Sequence, residues 1–565
     1  MKAKLQRNPG LAKLKLHVGH KTKGGKQVSD IIEFFISKFR ELLAKSPQPS
    51  IYYQPRPYRN AAVRFRACSL YDFEERRRLL EECGLNIFMF PASKIAGCDL
   101  LTDSGTTAMT MEQWSQLLLG DESYGSNEGY FELKEQVTET FGPSWKQESH
   151  TKQNLFIFHQ GRAAEHATFT TLASELLARG TPQARPLSNE LIPELKTRIE
   201  NKISQSRGAH FIIPNNSHFD TTEANVSSNN MVPLNLPCRE YLANDEAFPF
   251  KGNINLDELE SLLANEHDRV PLVYITITNN TAGGQPVSLE NIKKARKITS
   301  DYGVPLFFDA CRFAENAWFI QQKEKRYKNK SIEDIIKEMF ECVDGFTISF
   351  KKDGLVNMGG GLLIRDDGLF FKAYPDIRER LTDFQILVEG HPTYGGLAGR
   401  DLKGLVEGLK TVVRTDYLEH RIRQVQRFGN KLIDYGIPIV RPIGAHAVYI
   451  DIDRFFEATE NKDEDLKGQA FTDLLLIAGH RVCELGLYVF GKYKDGKEIP
   501  PDPRVNLVRI AVPRLVYEDQ DLLAVAEAIK VLHDNNEKIP GVEVVYGKEL
   551  RLRHFKSRFR FKHIC

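Results

Sequence analysis

The sequence predicts an α/β protein with a large, mostly parallel sheet domain and a smaller α+β domain. Short apolar runs alternate with amphipathic segments over about the first 410 residues. This alternation is typical of a parallel sheet that helices cover on both faces. The pattern then changes, which indicates a second lobe. In parallel sheets of this kind, ligands bind at the carboxyl ends of the strands, and polar residues follow several of the apolar runs.

Five apolar runs are the predicted strands of the large sheet: residues 155–158, 210–214, 271–278, 304–309 and 343–350. Amphipathic segments at 289–302 and 332–340 predict two of the helices between them. In the second lobe we expect one long helix over 402–425, strands in IPIV, HAVYIDI and VNLVRIAV, and a helix over 520–533.

We expect four segments along the chain. They are a basic arm and amphipathic helix at 1–48, the N-terminal part of the small domain at 49–98, the large domain at 99–410, and the C-terminal small domain at 411–565. Within them, residues 1–27 predict a loosely ordered arm, 29–44 a helix and 46–57 a linker. Residues 180–208 predict a polar insertion that carries a surface helix.

Composition excludes few classes of protein. The net charge of +2 in 565 residues predicts no particular partner, and we expect no nucleic-acid binding beyond a side activity of the basic arm. No apolar run approaches the roughly 18 residues of a membrane span. The eight cysteines form no CxxC pair and no secretory signal is recognisable, so we expect reduced thiols in a cytoplasmic protein.

The first motif that carries chemistry is SFKKDG, which begins at Ser349. A lysine at a strand end can serve as a nucleophilic amine when it is partly desolvated, and Lys352 is the candidate. Ser349 could bind a phosphate, and the glycines of the following MGGG would let the backbone approach a ligand. By itself this motif is weak, because a lysine pair is common on protein surfaces.

The second motif, FFDACRF, places Asp309 at the end of an apolar strand. A buried carboxylate is costly unless it has a partner. One such partner is the pyridinium nitrogen of pyridoxal phosphate, and another is Arg312, three residues further on. The spacing of about 40 residues between Asp309 and Lys352 makes the cofactor hypothesis as plausible as the simple ion pair.

Two further motifs follow other strands. In HQGRAAEH, Gln160, Gly161 and Arg162 lie between a strand and a helix, so backbone N–H groups at the helix start could bind a phosphate. In TNNTAGGQP, Asn280 could hydrogen-bond a phenolic oxygen of the cofactor. Each motif could equally be an ordinary turn.

Taken together, these motifs resemble the β-eliminating lyases of the tryptophanase and tyrosine phenol-lyase group. The resemblance covers roughly residues 52–561 and excludes the N-terminal extension and the 180–208 insertion. It implies the aspartate-aminotransferase-like type I fold of pyridoxal-phosphate (PLP) enzymes. Its markers, in order, are LLTDSGT, GDESY, HQGRAAE, FDTT, TNNTAGGQPVS, DACRFAENAWFI, SFKKDGLVNMGG, PTYGGLAGRDL, GAHAVYID, VRIAVPR and LRHF.

The resemblance implies a role for each matching residue. Lys352 would be the Schiff-base lysine and the base for the substrate α-proton, assisted by Lys351. Phe219 would stack on the cofactor ring, Asp309 would pair with its nitrogen, and Asn280 and Arg312 would contact its oxygen. The implied phosphate-binding residues are Gln160, Gly161, Arg162 and Ser349.

The substrate side is implied in the same way. Arg509 would bind the substrate carboxylate, with Thr102 and Ser104 at the same end. Tyr124, supplied across a subunit boundary, would be a general acid for the departing ring, which implies a homo-oligomer that we expect to be a tetramer built from dimers. The implied ligands of a monovalent cation, potassium, are Glu122, Gly105 and Asn357.

The leaving group is less clear. A phenol-lyase pocket holds the phenolic oxygen with an arginine where this chain has Leu485, and leucine cannot do that work. Asp220, and His554 before Phe555, resemble tryptophanase and could meet an indole ring, although His554 could equally be a surface residue of a basic tail. The motifs TDSGTTAM and PTYGGLAGRDL are closer to the phenol-lyases.

We therefore favour β-elimination of L-tryptophan to indole, pyruvate and ammonia. The alternatives are a tyrosine phenol-lyase or a β-lyase that acts on another β-substituted amino acid. An aminotransferase, which would use the same fold and the same lysine, is a more distant alternative.

Overall fold

A seven-stranded sheet forms the centre of the large lobe, and its spatial strand order is β1-β7-β6-β5-β4-β2-β3. All strands run parallel except β7, which is antiparallel to both of its neighbours. The mostly parallel sheet predicted from the sequence is thus confirmed. The strands are β1 (Leu155–Phe158), β2 (Ile212–Asn215), β3 (Val232–Asn235), β4 (Val273–Thr276), β5 (Leu306–Asp309), β6 (Gly345–Ser349) and β7 (Gly360–Ile364).

Helices cover both faces of this sheet, because two separate apolar clusters pack on it. One cluster includes Phe308 and Phe346, and the other includes Phe307 and Leu362. The helices before and within this lobe are α1 (Phe73–Glu82), α2 (Met111–Leu119), α3 (Glu128–Phe141), α4 (Gly161–Ala178), α5 (Pro193–Gln205), α6 (Asp220–Ser228), α7 (Leu256–Glu266), α8 (Leu289–Asp301), α9 (Phe313–Lys323), α10 (Ile332–Phe340), α11 (Leu369–Ala373), α12 (Ile377–Glu389) and α13 (Gly399–Val412).

The second lobe has a three-stranded antiparallel sheet in the order β8-β12-β9 and two small hairpins, β10-β11 and β13-β14. Its own core includes Ile450, Ile510 and Phe471. The remaining elements are α14 (Thr415–Asp434), β8 (Ala447–Asp451), α15 (Ile452–Phe455), α16 (Lys467–Ile477), β9 (Cys483–Glu484), α17 (Leu487–Phe490), β10 (Lys492–Lys494), β11 (Lys497–Ile499), β12 (Leu507–Ala511), α18 (Asp519–His533), β13 (Val542–Tyr546) and β14 (Arg558–Phe561).

Two predictions for this lobe are wrong. The single helix over 402–425 is two helices, because the backbone is extended at Arg414. Two β-branched residues, Val412 and Val413, weaken the helix there, and Asp416 favours a new helix start in its first turn. The run IPIV is no strand and contributes only a bridge from Ile439 to Ile450, since its proline has no N–H to donate to a ladder.

The structure, a computed structural model, describes residues 57, 68–147, 152–180, 185–206, 208–241, 243, 247–459, 462–494, 496–501 and 503–562. The predicted arm, the 29–44 helix and all of the predicted linker except residue 57 lie outside these residues. The limits of the four predicted segments stay a prediction. Helix α5 lies in the 180–208 insertion and buries Leu195 and Ile199 against the large-lobe core.

No helix in the described ranges combines the length and apolar character needed to cross a bilayer. The seven cysteines of these ranges are all free thiols.

Candidate active site

A cavity of about 280 Å³ opens at the carboxyl ends of the large sheet. Residues from the ends of β5 and β6, and from the turns that follow β1, β2 and β4, line it together with residues of the second lobe. Most of the predicted site residues meet here. They are Thr102, Ser104, Gln160, Gly161, Arg162, Phe219, Asp220, Asn280, Asp309, Arg312, Ser349, Lys351, Lys352, Leu485, Arg509, His554 and Phe555.

Four predicted residues lie outside the cavity lining. The side chain of Tyr124 is 75% exposed and packs on the rings of His391 and Tyr394. Glu122 forms an ion pair with Arg400. The two remaining residues are close together, since Asn357 Nδ2 donates to the carbonyl oxygen of Gly105 at 2.9 Å.

The two lysines follow β6 after Phe350 and line the cavity. Burial, and then the positive charges of Arg162 and Lys352, lower the pKa of Lys351. Gly105 borders the same lysine, and a Cβ at this position would lie only 2.6 Å from Lys351 Cε. The flexible end of Lys351 would have to shift to admit a side chain at position 105, where the backbone φ of +73° also favours glycine.

Asp309 is buried at the end of β5, between Thr276 of β4 and Thr347 of β6 in the sheet register. The ion pair with Arg312, one of the two interpretations of the sequence, is wrong, because Arg312 donates instead to Asp103 at 3.0 and 2.8 Å. The Asp309 carboxylate accepts the N–H of Cys311 at 3.3 Å and hydrogen-bonds the thiol of the same residue, and it has no ion pair among the described residues. A buried carboxylate without an ion pair suits a cationic ring nitrogen.

The start of α4 lies against the end of β6. A Cβ on Gly161 would be 2.6 Å from Ser349 Cβ, and one on Gly360 would be 2.2 Å from the carbonyl carbon of Gln160. The first two residues of α4, Gly161 and Arg162, line the cavity. A helix start of this kind binds phosphate well, so the residues present fit a phosphorylated cofactor.

Asn280 lines the cavity and belongs to a buried cluster with His446 and Tyr449. Its Oδ1 accepts from the Tyr449 hydroxyl at 2.5 Å and lies 3.1 Å from His446 Nε2. Burial, and then the charge of Arg312, hold the pKa of His446 well below its usual range, so this imidazole is neutral. Because Oδ1 is occupied in this way, the amide N–H₂ of Asn280 can donate to an oxygen of a bound ligand.

Arg509 projects from β12, the central strand of the smaller sheet. Its Nη2 donates to the carbonyl oxygen of Leu101 at 2.9 Å, and its Nε has no hydrogen-bond partner among the described residues. A buried guanidinium with free donors suits a carboxylate, which it can bind through two parallel hydrogen bonds.

The far end of the cavity is aromatic and largely apolar. His554 is buried, and its Nε2 lies 3.4 Å from Asp220 Oδ2. Phe88 packs on the rings of His554 and Phe555, with centroid distances of 5.6 and 4.8 Å. The interpretation of His554 as a surface residue is therefore wrong, and Leu485 lines the same cavity.

Sequence reasoning missed several residues of the lining. Glu165 lies one turn into α4 and accepts from the Thr222 hydroxyl at 2.6 Å. The four-residue spacing from Gly161 to Glu165 would have put it on the same helix face, whereas Phe88 gave no signal because it precedes every motif. The missed lining residues are Phe88, Leu101, Glu165, Thr221, Cys311, Thr347, Ile348, Cys483 and Val489.

Replacement of Glu165 by glutamine is expected to stabilise the cofactor-free protein above about pH 7. Burial, and then the charge of Asp309, raise the pKa of Glu165 to about 7 from an ordinary value of 4.5. The folded protein thus holds this proton more tightly than the unfolded chain does. Stability is therefore lost as the pH rises between these values, by on the order of 3 kcal/mol.

Thermal unfolding between about pH 5 and pH 8 measures this effect. The unfolding temperature of Glu165→Gln should fall less over this range than that of the parent protein. Parallel curves would contradict the buried titration.

Behind the cavity lies a closed network of six buried charges. Asp103 accepts from Arg312 and also from Arg514 Nη1 at 3.0 Å. Arg514 Nη2 donates to Glu315 and to Asp353, each at 2.8 Å. Arg421 completes the network by donating to Glu315 at 3.0 Å. Asp353 directly follows Lys352, so the network fixes the backbone next to the candidate lysine.

The same fold occurs in a solved structure. The chain superimposes on aspartate aminotransferase from Thermotoga maritima with a TM-score of 0.50 at 12% identity, covering 82% of this chain and 96% of that one. This likeness concerns the fold alone. The fold and the site together define a pyridoxal-phosphate-dependent enzyme of the type I class, whose lysine, buried acid and helix start share one sheet edge.

The sequence of the chain narrows this class. A sequence model of the family described as "Beta-eliminating lyase" matches residues 99–528, so the chain belongs to the β-eliminating lyase family. A tryptophanase of Salinibacter ruber is 40% identical, over 86% of this chain and 92% of that protein. A tyrosine phenol-lyase of Fusobacterium nucleatum is 34% identical, over 90% and 99%. The predicted fold class and the predicted lyase are thereby confirmed.

Proposed function

We propose that this lyase cleaves L-tryptophan to indole, pyruvate and ammonia. The contact between His554 and Asp220 inside the cavity carries the proposal, because it offers a polar pair to an indole N–H in otherwise aromatic surroundings. Leu485 supports it, since an aliphatic side chain packs on a bicyclic ring and cannot hold a phenolate. A phenol leaving group is the alternative, as is another β-substituent.

Pyridoxal phosphate supplies an electron sink for the pair of electrons that the substrate α-carbon releases. We assign its phosphate to Ser349, Arg162 and the start of α4 at Gln160 and Gly161. Its ring nitrogen would meet Asp309, its ring face would meet Phe219, and its oxygen would meet Asn280 and Arg312. Each of these residues lines the cavity.

The side chains of this protein then divide the remaining work. Arg509 holds the substrate carboxylate, with Thr102 and Ser104 beside it, and so fixes the α-carbon near Lys352. The Lys352 amine takes the α-proton. Lys351, whose pKa is lowered, assists proton movement beside it. Asp220 and His554 orient the indole, and Phe555 packs against it.

Assembly and ions complete the proposal. The exposed Tyr124 would act as general acid in the site of a neighbouring subunit, within a tetramer built from dimers. Potassium would bind at Glu122, Gly105 and Asn357, where the structure supports only the proximity of the last two. A cytoplasmic location is likewise part of the proposal.

Pyruvate release from three substrates tests the function. Purified protein with pyridoxal phosphate and potassium should release equimolar indole and pyruvate from L-tryptophan, and little phenol from L-tyrosine. An S-alkylcysteine should give pyruvate in either case, because its thiolate leaves without help. Pyruvate from the S-alkylcysteine without indole from tryptophan would overturn the assignment of the substrate.

A further inference from the structure

The imidazole of His554 separates two cavities. Its Nε2 faces Asp220 on the side of the active-site cavity. The same ring also lines a second, very small cavity of about 10 Å³. His554 Nδ1 is buried and has no hydrogen-bond partner among the described residues. A buried ring nitrogen of this kind needs a hydrogen-bond donor.

The polar side chains around the small cavity have their donors engaged elsewhere. Asn86 Nδ2 donates to the carbonyl oxygens of His554 and Ser557, at 3.2 and 2.8 Å. Gln469 Nε2 donates to the carbonyl oxygen of Leu85 and to Asp473. The Tyr488 hydroxyl donates to Ser557 Oγ at 2.5 Å. None of these groups supplies a proton to Nδ1.

The remaining polar group of the small cavity is the buried carboxylate of Glu484. Its two oxygens accept from the backbone N–H groups of Tyr488 and Val489, at 3.2 and 3.1 Å. The N–H of Gly486 also hydrogen-bonds this carboxylate, and one of its roughly four acceptor sites remains for a further donor. Because Nε2 faces the Asp220 carboxylate, its proton belongs on that nitrogen, which makes Nδ1 an acceptor. Two acceptors, Nδ1 and Glu484, therefore border a space of about one water molecule.

We propose that one buried water donates both of its protons, one to His554 Nδ1 and one to Glu484. Glu484 is then a positioning residue: through this water it keeps the ring proton of His554 on Nε2, towards Asp220 and the departing ring. Elsewhere a second carboxylate fixes the tautomer of a functional histidine by accepting its other ring N–H; here the water donates to the ring instead, because the proton lies on Nε2. The inference rests on the role proposed above for His554.

Glu484 responds to pH within the working range. Burial raises its pKa to about 7, which the backbone N–H groups of Tyr488, Val489 and Gly486 and the charge of Arg553 oppose. The other titratable groups that interact with it are Cys483 and Tyr488, whose burial raises the pKa of each to about 12, so both stay neutral. Protonation of Glu484 gives it an O–H that can donate to the water, so the water no longer has to donate to both groups and the His554 tautomer is no longer fixed.

Two substrates separate a positioning role from a merely structural one. Glu484→Gln should lower kcat for L-tryptophan about tenfold, and leave kcat for S-ethyl-L-cysteine within about twofold. The parent should also lose tryptophan turnover, relative to S-ethyl-L-cysteine, as the pH falls through about 7, and the variant should not. Equal losses on both substrates would overturn the proposal.

Asp473→Asn is the matched control. Burial also raises the pKa of Asp473 well above its usual range, and this carboxylate contacts Gln469 without lining either cavity. This variant should change kcat for L-tryptophan and kcat for S-ethyl-L-cysteine by the same factor. Should Glu484→Gln fail to fold, Glu484→Asp takes its place.

A high-resolution crystal structure of the parent holoenzyme tests the water directly. We expect one water within about 3.2 Å of both His554 Nδ1 and Glu484. A cavity that is occupied by protein atoms in place of water refutes the bridge. A water that contacts only one of the two groups refutes it as well. If the parent cleaves no tryptophan, the proposed function is wrong. The crystal structure still shows whether a water bridges His554 and Glu484.

Discussion

Lys352→Met is expected to abolish the covalent attachment of the cofactor and to lower the elimination rate at least about 10³-fold. Thioether sulfur forms no imine and takes no proton, while methionine preserves most of the side-chain volume. The yellow absorbance of the reconstituted protein should therefore disappear after dialysis, because the cofactor is no longer held covalently. Pyruvate release from S-ethyl-L-cysteine measures the rate.

Lys351→Met is the matched control for this experiment. The neighbouring lysine lines the same cavity, yet its loss should leave the dialysis-resistant absorbance in place and reduce only the rate. If the two variants exchange these phenotypes, the lysine assignments are reversed. If both retain the absorbance, neither lysine binds the cofactor covalently.

Arg514→Met is expected to cause the largest loss of folding stability, about 3–5 kcal/mol. Arg514 is fully buried and contacts three carboxylates of the six-charge network, Asp103, Glu315 and Asp353. Its removal leaves three buried acidic groups with only two guanidinium groups, Arg312 and Arg421. Urea unfolding of the cofactor-free protein, followed by circular dichroism, measures the loss.

The exposed ion pairs of Arg504 with Asp453 and Asp463 provide the comparison. Arg504 is 42% exposed, so Arg504→Met should cost no more than about 1 kcal/mol. Equal losses of unfolding free energy in the two variants would mean that the buried network stabilises the protein no more than an exposed ion pair does.

The sequence was most informative where local pattern and buried structure coincide. Near-continuous apolar runs predicted β1 and β5 well, because a strand buried on both faces tolerates few polar residues. Asp309, Asn280 and Lys352 were found because the carboxyl ends of parallel strands meet at one edge of the sheet. Polar residues that follow the strands therefore lie close together.

Features that depend on distant partners could not be predicted. The preference of Arg312 for Asp103 over Asp309 joins residues 209 positions apart, which no local spacing encodes. Strand β7 was missed, because its glycines suggested a ligand-binding turn. Strand β3 contains Pro233, which a sheet accepts here because the strand lies at its edge.

The residues that line the cavity are translated in an order that has a consequence for biosynthesis. Every residue assigned to the cofactor lies between Gln160 and Lys352, whereas Arg509, His554 and Phe555 come much later. A growing polypeptide could thus present a cofactor-binding surface well before the far wall emerges from the ribosome. Cofactor bound at that stage would lie in an open cleft that is exposed to water. Only after the last residues are translated could the far wall form and complete the active site.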